Sequence, residues 1–194
     1  MGIARWASAR GAVLAVGAAA GVVGLMVGCS STVEGGAQTE SVNGSPTREQ
    51  TVQWNPCTEL SDDALRAAGA DPATKRVVTD AATGDTSGRI CQWNSTEGPY
   101  FVSLSSTVYS QNEARLNDKI TGVQDISVGP RHGLTYWDKS DDDKLACYVN
   151  VPWAKGSLEV IIDWRYGSRD SMPEAPPCSL AVQHAEILEP YLPK

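Results

Sequence analysis

The sequence has few of the residues on which common catalytic sites depend. It contains only two histidines, His132 and His184, and neither a Gly-x-Ser-x-Gly motif nor a Ser-x-x-Lys motif. A serine or cysteine nucleophile needs a base beside it, and these residues and motifs usually supply one. We interpret His184, which follows Leu180 by one helical turn, as a packing or capping residue, and His132 as a solvated loop residue. We therefore expect no enzymatic activity, with a surface hydrolase of unfamiliar site as the alternative.

Positive charge is scarce as well. The chain carries 16 Lys and Arg against 23 Asp and Glu, which gives a net charge of −7 at pH 7. Nucleic acids and anionic lipids attract surfaces on which Lys and Arg are clustered. We therefore expect neither a nucleic-acid partner nor electrostatic adhesion to lipid.

The usual metal-binding patterns are missing from the sequence. No two cysteines have the close spacing of a zinc site. The acidic run Asp141–Asp143, with Asp138 nearby, lacks the alternating aspartates and the closing glutamate of a calcium loop. We interpret this run as a solvated turn, with a calcium site as the alternative, and we expect no metal and no cofactor.

What the chain does have, at its start, is the organisation of an export signal. Arg5 and Arg10 form a positive region, and residues 11–27 are uncharged and rich in Ala, Gly and Val. An uncut membrane anchor is the alternative, but a helix over residues 11–27 would be about 25 Å long. That length is less than the roughly 30 Å of a bilayer core. The sequence therefore favours a leader that is cleaved.

The cleavage point is indicated by Leu25–Cys29, which resembles the lipobox of bacterial lipoproteins. Met26 and Val27 depart slightly from the residues usual at their positions. The resemblance implies that residues 1–28 are a signal peptide and that Cys29 receives lipid, palmitate included. More than one acyl chain holds a protein firmly to a bilayer. We expect the protein to be lipid-anchored on the extracytoplasmic face of the cell membrane.

Two regions of different composition follow the signal. Residues 29–50 are rich in Ser, Thr, Gly, Glu and Gln and contain no aromatic side chain, so they cannot bury a core and are predicted to be a disordered tether. Residues 51–194 are numerous enough for one domain with its own hydrophobic core.

Four cysteines remain when Cys29 is assigned to lipid. In an exported chain, the even set Cys57, Cys91, Cys147 and Cys178 predicts two disulfides, for which three pairings exist. We favour Cys57 with Cys91 and Cys147 with Cys178, because each of these pairs would join the start of a helix to a strand.

The folded region has the pattern of an α+β domain. Ser61 is a good N-cap for a short helix that Gly69 ends, and residues 177–189 form an apolar helical stripe begun by a proline. Runs of β-branched and aromatic residues between these helices predict up to seven strands, at residues 75–79, 89–94, 100–108, 123–128, 133–137, 145–151 and 158–164. We therefore expect a mostly antiparallel sheet with a short N-terminal helix and a C-terminal helix packed on it.

The sequence also predicts one strand and one short helix in the middle of the domain in more detail. In residues 100–108, Val102 and Leu104 alternate with Ser103 and Ser105, which predicts a strand with one buried and one solvated face. Residues 110–118 are predicted to form a short helix with Ala114 and Leu116 directed inward.

Tryptophan must supply aromatic volume to the core, because the chain has six Trp but a single Phe, Phe101. Trp153 and Trp164 keep the phase of the apolar residues around them, and Trp93 lies close to Cys91, so we expect these rings to pack in the core. A groove for glycan or lipid is the alternative, formed by aromatic residues that would include Trp93, Trp137, Trp153, Trp164, Tyr136, Tyr148 and Tyr166.

Several short motifs together resemble a known family. They are Asn55–Cys57, Cys91–Trp93, Cys147–Tyr148, Pro177–Cys178 and the closing Pro190–Pro193. In these motifs the chain resembles the actinobacterial lipoprotein family catalogued as domain of unknown function 3558. The resemblance implies a membrane-anchored extracytoplasmic α+β domain, and it assigns no activity.

The sequence therefore predicts a non-enzymatic, lipid-anchored envelope protein that binds a cell-wall, lipid or protein partner. A purely structural or sensing partner of another membrane protein is a further alternative. The sequence does not indicate which residues bind a ligand.

Overall fold

The computed structural model describes residues 51–80, 86–172 and 177–194, which belong to one compact unit. The predicted signal peptide at residues 1–28, the lipidated Cys29 and the tether at residues 29–50 lie outside the described residues. Among the residues described, no helix is both long enough and apolar enough to cross a membrane.

Seven strands form a single sheet in which every neighbouring pair is antiparallel. Their order across the sheet is β1-β2-β3-β7-β6-β5-β4. The strands are β1 (Arg76–Thr79), β2 (Gly88–Asn94), β3 (Tyr100–Thr107), β4 (Ile120–Val128), β5 (Arg131–Asp138), β6 (Ala146–Trp153) and β7 (Gly156–Trp164). The predicted strands are thus confirmed, within a few residues at their ends.

The chain enters the sheet through two short helices, α1 (Pro56–Glu59) and α2 (Asp62–Ala67). Ser61 caps α2 as predicted, because its hydroxyl accepts a hydrogen bond from the Ala64 amide at 3.2 Å. Gly69 follows with φ +62°, a conformation that glycine adopts at little cost. The helix α1, which contains Cys57, was not predicted.

The C-terminal helix α4 (Pro177–Leu188) packs on β6 and β7. Ala181, Ala185 and Leu188 have no exposed surface and recur at helical spacing, so they form the face of the helix that meets the sheet.

Two disulfides attach helices to this side of the sheet, in the pairing that the sequence favoured. Cys57 is bonded to Cys91, with Cα atoms 5.3 Å apart, and Cys147 to Cys178, with Cα atoms 5.0 Å apart. The first joins α1 to β2 and the second joins β6 to the start of α4.

The two faces of the sheet differ in character. Residues on the covered face, such as Val102, Leu104 and Val160, are apolar and almost fully buried beneath the helices. The opposite face, which we call the open face, carries Ser105 and Glu159, which lie side by side on β3 and β7. A third short helix, α3 (Gln111–Arg115), lies over part of the open face.

Two predictions for this region were wrong. The serines of β3 are not solvated: Ser103 and Ser105 are only 3% and 5% exposed, because neighbouring strands and side chains surround them, and Gln92 donates a hydrogen bond to Ser103 at 3.2 Å. Leu116 does not point inward but is 84% exposed, because α3 ends at Arg115, one residue before it.

The tryptophans follow the predicted core packing. Trp93 and Trp164 belong to the core cluster, and Trp137 and Trp153 are partly buried against it. Tyr136 and Tyr148, by contrast, stack on each other with ring centres 5.2 Å apart on the open face.

Candidate functional site

A pocket of about 600 Å³ lies on the open face of the sheet. Its floor is formed by side chains of β3, β5, β6 and β7, and α3 with the turn after it forms one wall. A cavity of this size is within the range of small-molecule binding sites. We take it as the candidate functional site.

The floor of the pocket is a hydrogen-bonded group of four side chains. Asn150 on β6 donates through Nδ2 to the Ser157 hydroxyl at 2.9 Å and to Glu159 Oε1 at 3.2 Å. Tyr136 on β5 donates to the same carboxylate oxygen. We call Tyr136, Asn150, Ser157 and Glu159 the floor network.

Strand register brings these residues together. Asn150 lies opposite Leu134 of β5 on one side and Glu159 of β7 on the other. Side chains that are directly opposite or diagonal on one face of adjacent antiparallel strands are within contact distance. Because β7 pairs with β6 and β3, residues distant in sequence meet on one face.

Asn150 is the most unusual member of the floor network. It is fully buried, and its Oδ1 has no hydrogen-bond partner among the described residues. A buried acceptor without a partner costs free energy, and native proteins contain few of them. The orientation of this amide follows from its neighbour, because only Nδ2 can donate to the Glu159 carboxylate.

The wall over the floor is held by contacts from α3 and the residues before it. Gln111 donates through Nε2 to the His132 carbonyl at 3.0 Å and to the Asn150 carbonyl at 3.4 Å. Ser157 donates to the Tyr109 carbonyl at 2.9 Å. A capping box between Ser110 and Glu113 begins the helix. This wall therefore has a defined position relative to the floor.

Both tyrosines of the open face are held in the neutral form at physiological pH. Burial, followed by the charge of Glu159, raises the pKa of Tyr136 far above its usual value. Burial, and then the charges of Asp138 and Glu159, raise the pKa of Tyr148 to about 12. A neutral Tyr136 keeps its proton and donates a hydrogen bond to Glu159.

The two histidines are not part of this pocket. His184 is 1% exposed, lies in α4 on the covered face, and is 3.1 Å from the Tyr100 hydroxyl through Nε2. Burial lowers its pKa, against the opposing effects of the Ala68 carbonyl and the Glu97 charge. This confirms the packing role predicted for His184. His132 is exposed as predicted, but it lies in strand β5 rather than in a loop.

Three of the four acidic residues that precede β6 have partners within the protein. Asp138 accepts a hydrogen bond from the Ser140 amide at 2.7 Å, and Asp141 accepts one from the Ala146 amide at 2.8 Å. Asp143 forms an ion pair with Arg169 at 2.8 Å. In the described part of the chain, no group of three or more His, Cys, Asp or Glu side chains converges to hold a metal.

Sequence reasoning missed the residues of the floor network, apart from Tyr136 as a possible groove residue. A signal for them exists: Asn150 interrupts the apolar run of β6, and Glu159 interrupts that of β7. Polar residues on strands buried from both sides need partners. The sequence alone does not reveal that these two strands are neighbours.

The fold and the pocket define an α+β domain with two disulfides and a small-molecule-sized cavity on the sheet face opposite its helices. The sequence matches the family described as protein of unknown function (DUF3558) over residues 24–191, and the chain belongs to that family. Comparisons with the curated proteins and with the solved structures gave no match.

Proposed function

We propose that this protein is a non-enzymatic lipoprotein of the cell envelope that binds a small molecule in the pocket on the open face. The observation that carries the proposal is the buried floor network, in which a carboxylate and an amide are oriented at the bottom of an open cavity. Side chains held in this way are pre-organised for a ligand, which reduces the entropy lost on binding.

The envelope location is supported by the sequence before the domain. The export pattern of residues 1–28, the lipobox and the polar composition of residues 29–50 are what a lipid-anchored domain requires. The family match begins at residue 24, so it includes Cys29. In this proposal the tether presents the pocket to molecules outside the cell membrane.

A binding role fits the pocket better than hydrolysis does. Among the described lining residues, the carboxylates are Glu113 and Glu159. Glu113 accepts hydrogen bonds from the amide and hydroxyl of Ser110 at 2.8 and 2.6 Å, and thus serves to begin α3. Tyr136 keeps its proton, as its raised pKa requires, and is no base at neutral pH.

Native mass spectrometry of the intact protein, extracted from its own membranes in mild detergent, tests the binding role. The wild type should retain a small molecule. The variant Ala114→Trp, which adds bulk on α3 beside the pocket, should lose it, whereas Gln183→Trp, on the exposed side of α4, should keep it. A wild type without ligand, or equal retention by both variants, would count against the pocket.

The anchor is tested separately. The mature protein should have a mass that corresponds to residues 29–194 plus acyl chains, and Cys29→Ser should abolish both the acyl mass and the cleavage. A mature N-terminus at a residue other than Cys29 would overturn this part of the proposal.

A further inference from the structure

We propose that the ligand group recognised at the floor of the pocket is a protonated amine. This inference rests on the proposed small-molecule binding and adds the chemical class of the ligand. It follows from which hydrogen-bond donors and acceptors of the pocket are already used, and from the sign of the charge around them.

Four of the eight hydroxyl groups in the described pocket lining donate their protons to acceptors of the protein itself. Thr86 donates to the Gly88 carbonyl at 2.8 Å, Thr107 to the Ser87 carbonyl at 2.9 Å and Ser157 to the Tyr109 carbonyl at 2.9 Å. Tyr136 donates to Glu159. What these groups still offer to a ligand is their oxygen lone pairs, which accept hydrogen bonds.

The strongest remaining acceptors lie at the floor. Asn150 Oδ1 is buried and has no partner among the described residues. Among the described residues, Tyr136 and Asn150 donate hydrogen bonds to Glu159, both to the single oxygen Oε1. The second carboxylate oxygen, Oε2, therefore remains for a ligand. Because Asn150 Oδ1 has almost no accessible surface, the acceptor that the pocket presents to a ligand is the Glu159 carboxylate, and it requires a hydrogen-bond donor.

The charge of the pocket selects among such groups. Glu113 and Glu159 are the charged residues among the described pocket lining, and neither Lys nor Arg is present there. An anionic ligand would meet the negative charge of Glu159 at the floor, with no Lys or Arg among the described lining residues to offset it. An ammonium group carries three donors and no acceptor, and it forms a charge-assisted hydrogen bond with a carboxylate.

The remainder of the pocket accommodates the hydrocarbon part of an amine. Ile90, Ile120 and Ala114 contribute apolar surface, and Tyr109 and Tyr136 contribute aromatic rings. A cation over an aromatic ring gains further attraction from the electron-rich face of the ring. The pocket therefore combines an acceptor floor with apolar sides.

Isothermal titration with three matched probes tests the class of ligand. The full chain in mild detergent is titrated with 1,4-diaminobutane, 1,4-butanediol and succinate, which differ in charge but share a four-carbon skeleton. We expect the diamine to bind at least about tenfold more tightly than the diol, because a charge-assisted hydrogen bond exceeds a neutral one by about that factor. Succinate should not bind.

Glu159→Gln provides the site-specific test, since it keeps the shape of the side chain and removes its charge. Diamine binding should weaken at least about tenfold, whereas Glu186→Gln, on the exposed side of α4, should leave it unchanged. Thermal unfolding of both variants checks that the fold is retained.

Different results would overturn the amine assignment and the proposed binding pocket. Equal affinity for diamine and diol, or no binding of the diamine at millimolar concentration, would overturn the amine assignment. If the wild type nevertheless retains a small molecule that Ala114→Trp loses, the binding pocket stands and its ligand belongs to another class. Equal weakening of diamine binding by Glu159→Gln and Glu186→Gln would also overturn the assignment, because it would indicate non-specific attraction to an acidic protein.

Discussion

The Tyr136 hydroxyl donates a hydrogen bond to Glu159 across the intervening strand β6, and Asn150 of that strand donates to the same carboxylate oxygen. Three neighbouring strands, β5, β6 and β7, are thereby joined through side chains as well as through their backbones. Buried polar groups of this kind are stabilising only when their partners are in place. The floor network is therefore both a structural element of the sheet and the base of the pocket.

Asn150→Asp should destabilise the domain strongly at neutral pH. The substitution replaces the Nδ2 donor, which lies 3.2 Å from Glu159 Oε1, with an oxygen acceptor. We expect a loss of about 2 to 4 kcal/mol in the free energy of unfolding at pH 7, since two carboxylates would meet in a buried site.

Urea unfolding of Asn150→Asp and the wild type at pH 7 and pH 5 measures this effect. The difference between the two proteins should shrink at pH 5, because one carboxyl of the new pair takes up a proton and donates again. Asn112→Asp, at an exposed position of α3, is the control and should change little. A pH-independent difference would contradict the account of the floor network.

Removal of the Cys147–Cys178 disulfide should loosen α4. The bridge spans 31 residues, and a loop of that size contributes about 3 to 4 kcal/mol in the chain-entropy description. The double variant Cys147→Ala/Cys178→Ala should therefore unfold at a lower urea concentration. Amide hydrogen exchange should rise more in α4 than in β1 and β2, because the Cys57–Cys91 bridge, which holds β2, remains intact. An unchanged unfolding midpoint would show that packing alone holds the helix.

The stability of the domain should depend on the protonation of His184. Burial lowers the pKa of this histidine, so the folded protein binds a proton less readily than the unfolded chain, whose histidine has a pKa near 6.5. The unfolded state therefore binds more protons in the window below pH 6.5, and stability decreases as the pH falls through it.

Unfolding free energies measured from pH 7.5 to pH 5.5 check the role of His184. His184→Gln should reduce the steepness of the decline relative to the wild type. His132→Gln, at an exposed position, should leave the decline unchanged. Equal pH dependence in the wild type and both variants would mean that another group is responsible.

The bulge in β4 requires glycine at position 122, and a side chain at this position should destabilise the domain. This residue has φ +63°, and a Cβ built on it would lie 2.3 Å from the ring of Trp137. The strand register shifts at this point, between Thr121 and Gln124. Gly122→Ala should lower the free energy of unfolding by more than about 1 kcal/mol.

The matched control for this bulge is Gly167→Ala, because no atom lies within 4 Å of a Cβ at Gly167. That variant should unfold at nearly the same urea concentration as the wild type. Similar midpoints for Gly122→Ala and the wild type would require β4 to adjust its backbone freely at the bulge.

The elements of the fold were predictable because their signals are local. The cap at Ser61, the proline that begins α4 and the alternation of Val102 and Leu104 with serines each depend on neighbours within a few residues. Leu116 was misplaced because α3 ends at Arg115, so Leu116 is the C-cap of the helix rather than a residue of its inward face.

The floor network was not predictable from such signals. Asn150 meets Glu159 only because β6 and β7 form a hairpin, and Tyr136 reaches the same oxygen only because β5 is the next strand of the sheet. Strand order and the arrangement of α3 over the open face arise from non-local packing. A polar residue in an apolar run indicates a buried partner, but its identity requires the sheet.

Photo-crosslinking in living cells is the most direct test of the central claim, that the pocket on the open face binds a small molecule. The crosslinking amino acid p-benzoylphenylalanine would replace Tyr109, which lines the pocket and is 51% exposed, or Tyr166, which lies elsewhere and is 73% exposed. The account predicts a small-molecule adduct at position 109 and none at position 166. A protein adduct at position 109, or the same small-molecule adduct at both positions, would contradict it and favour a sensing or structural partnership with another membrane protein.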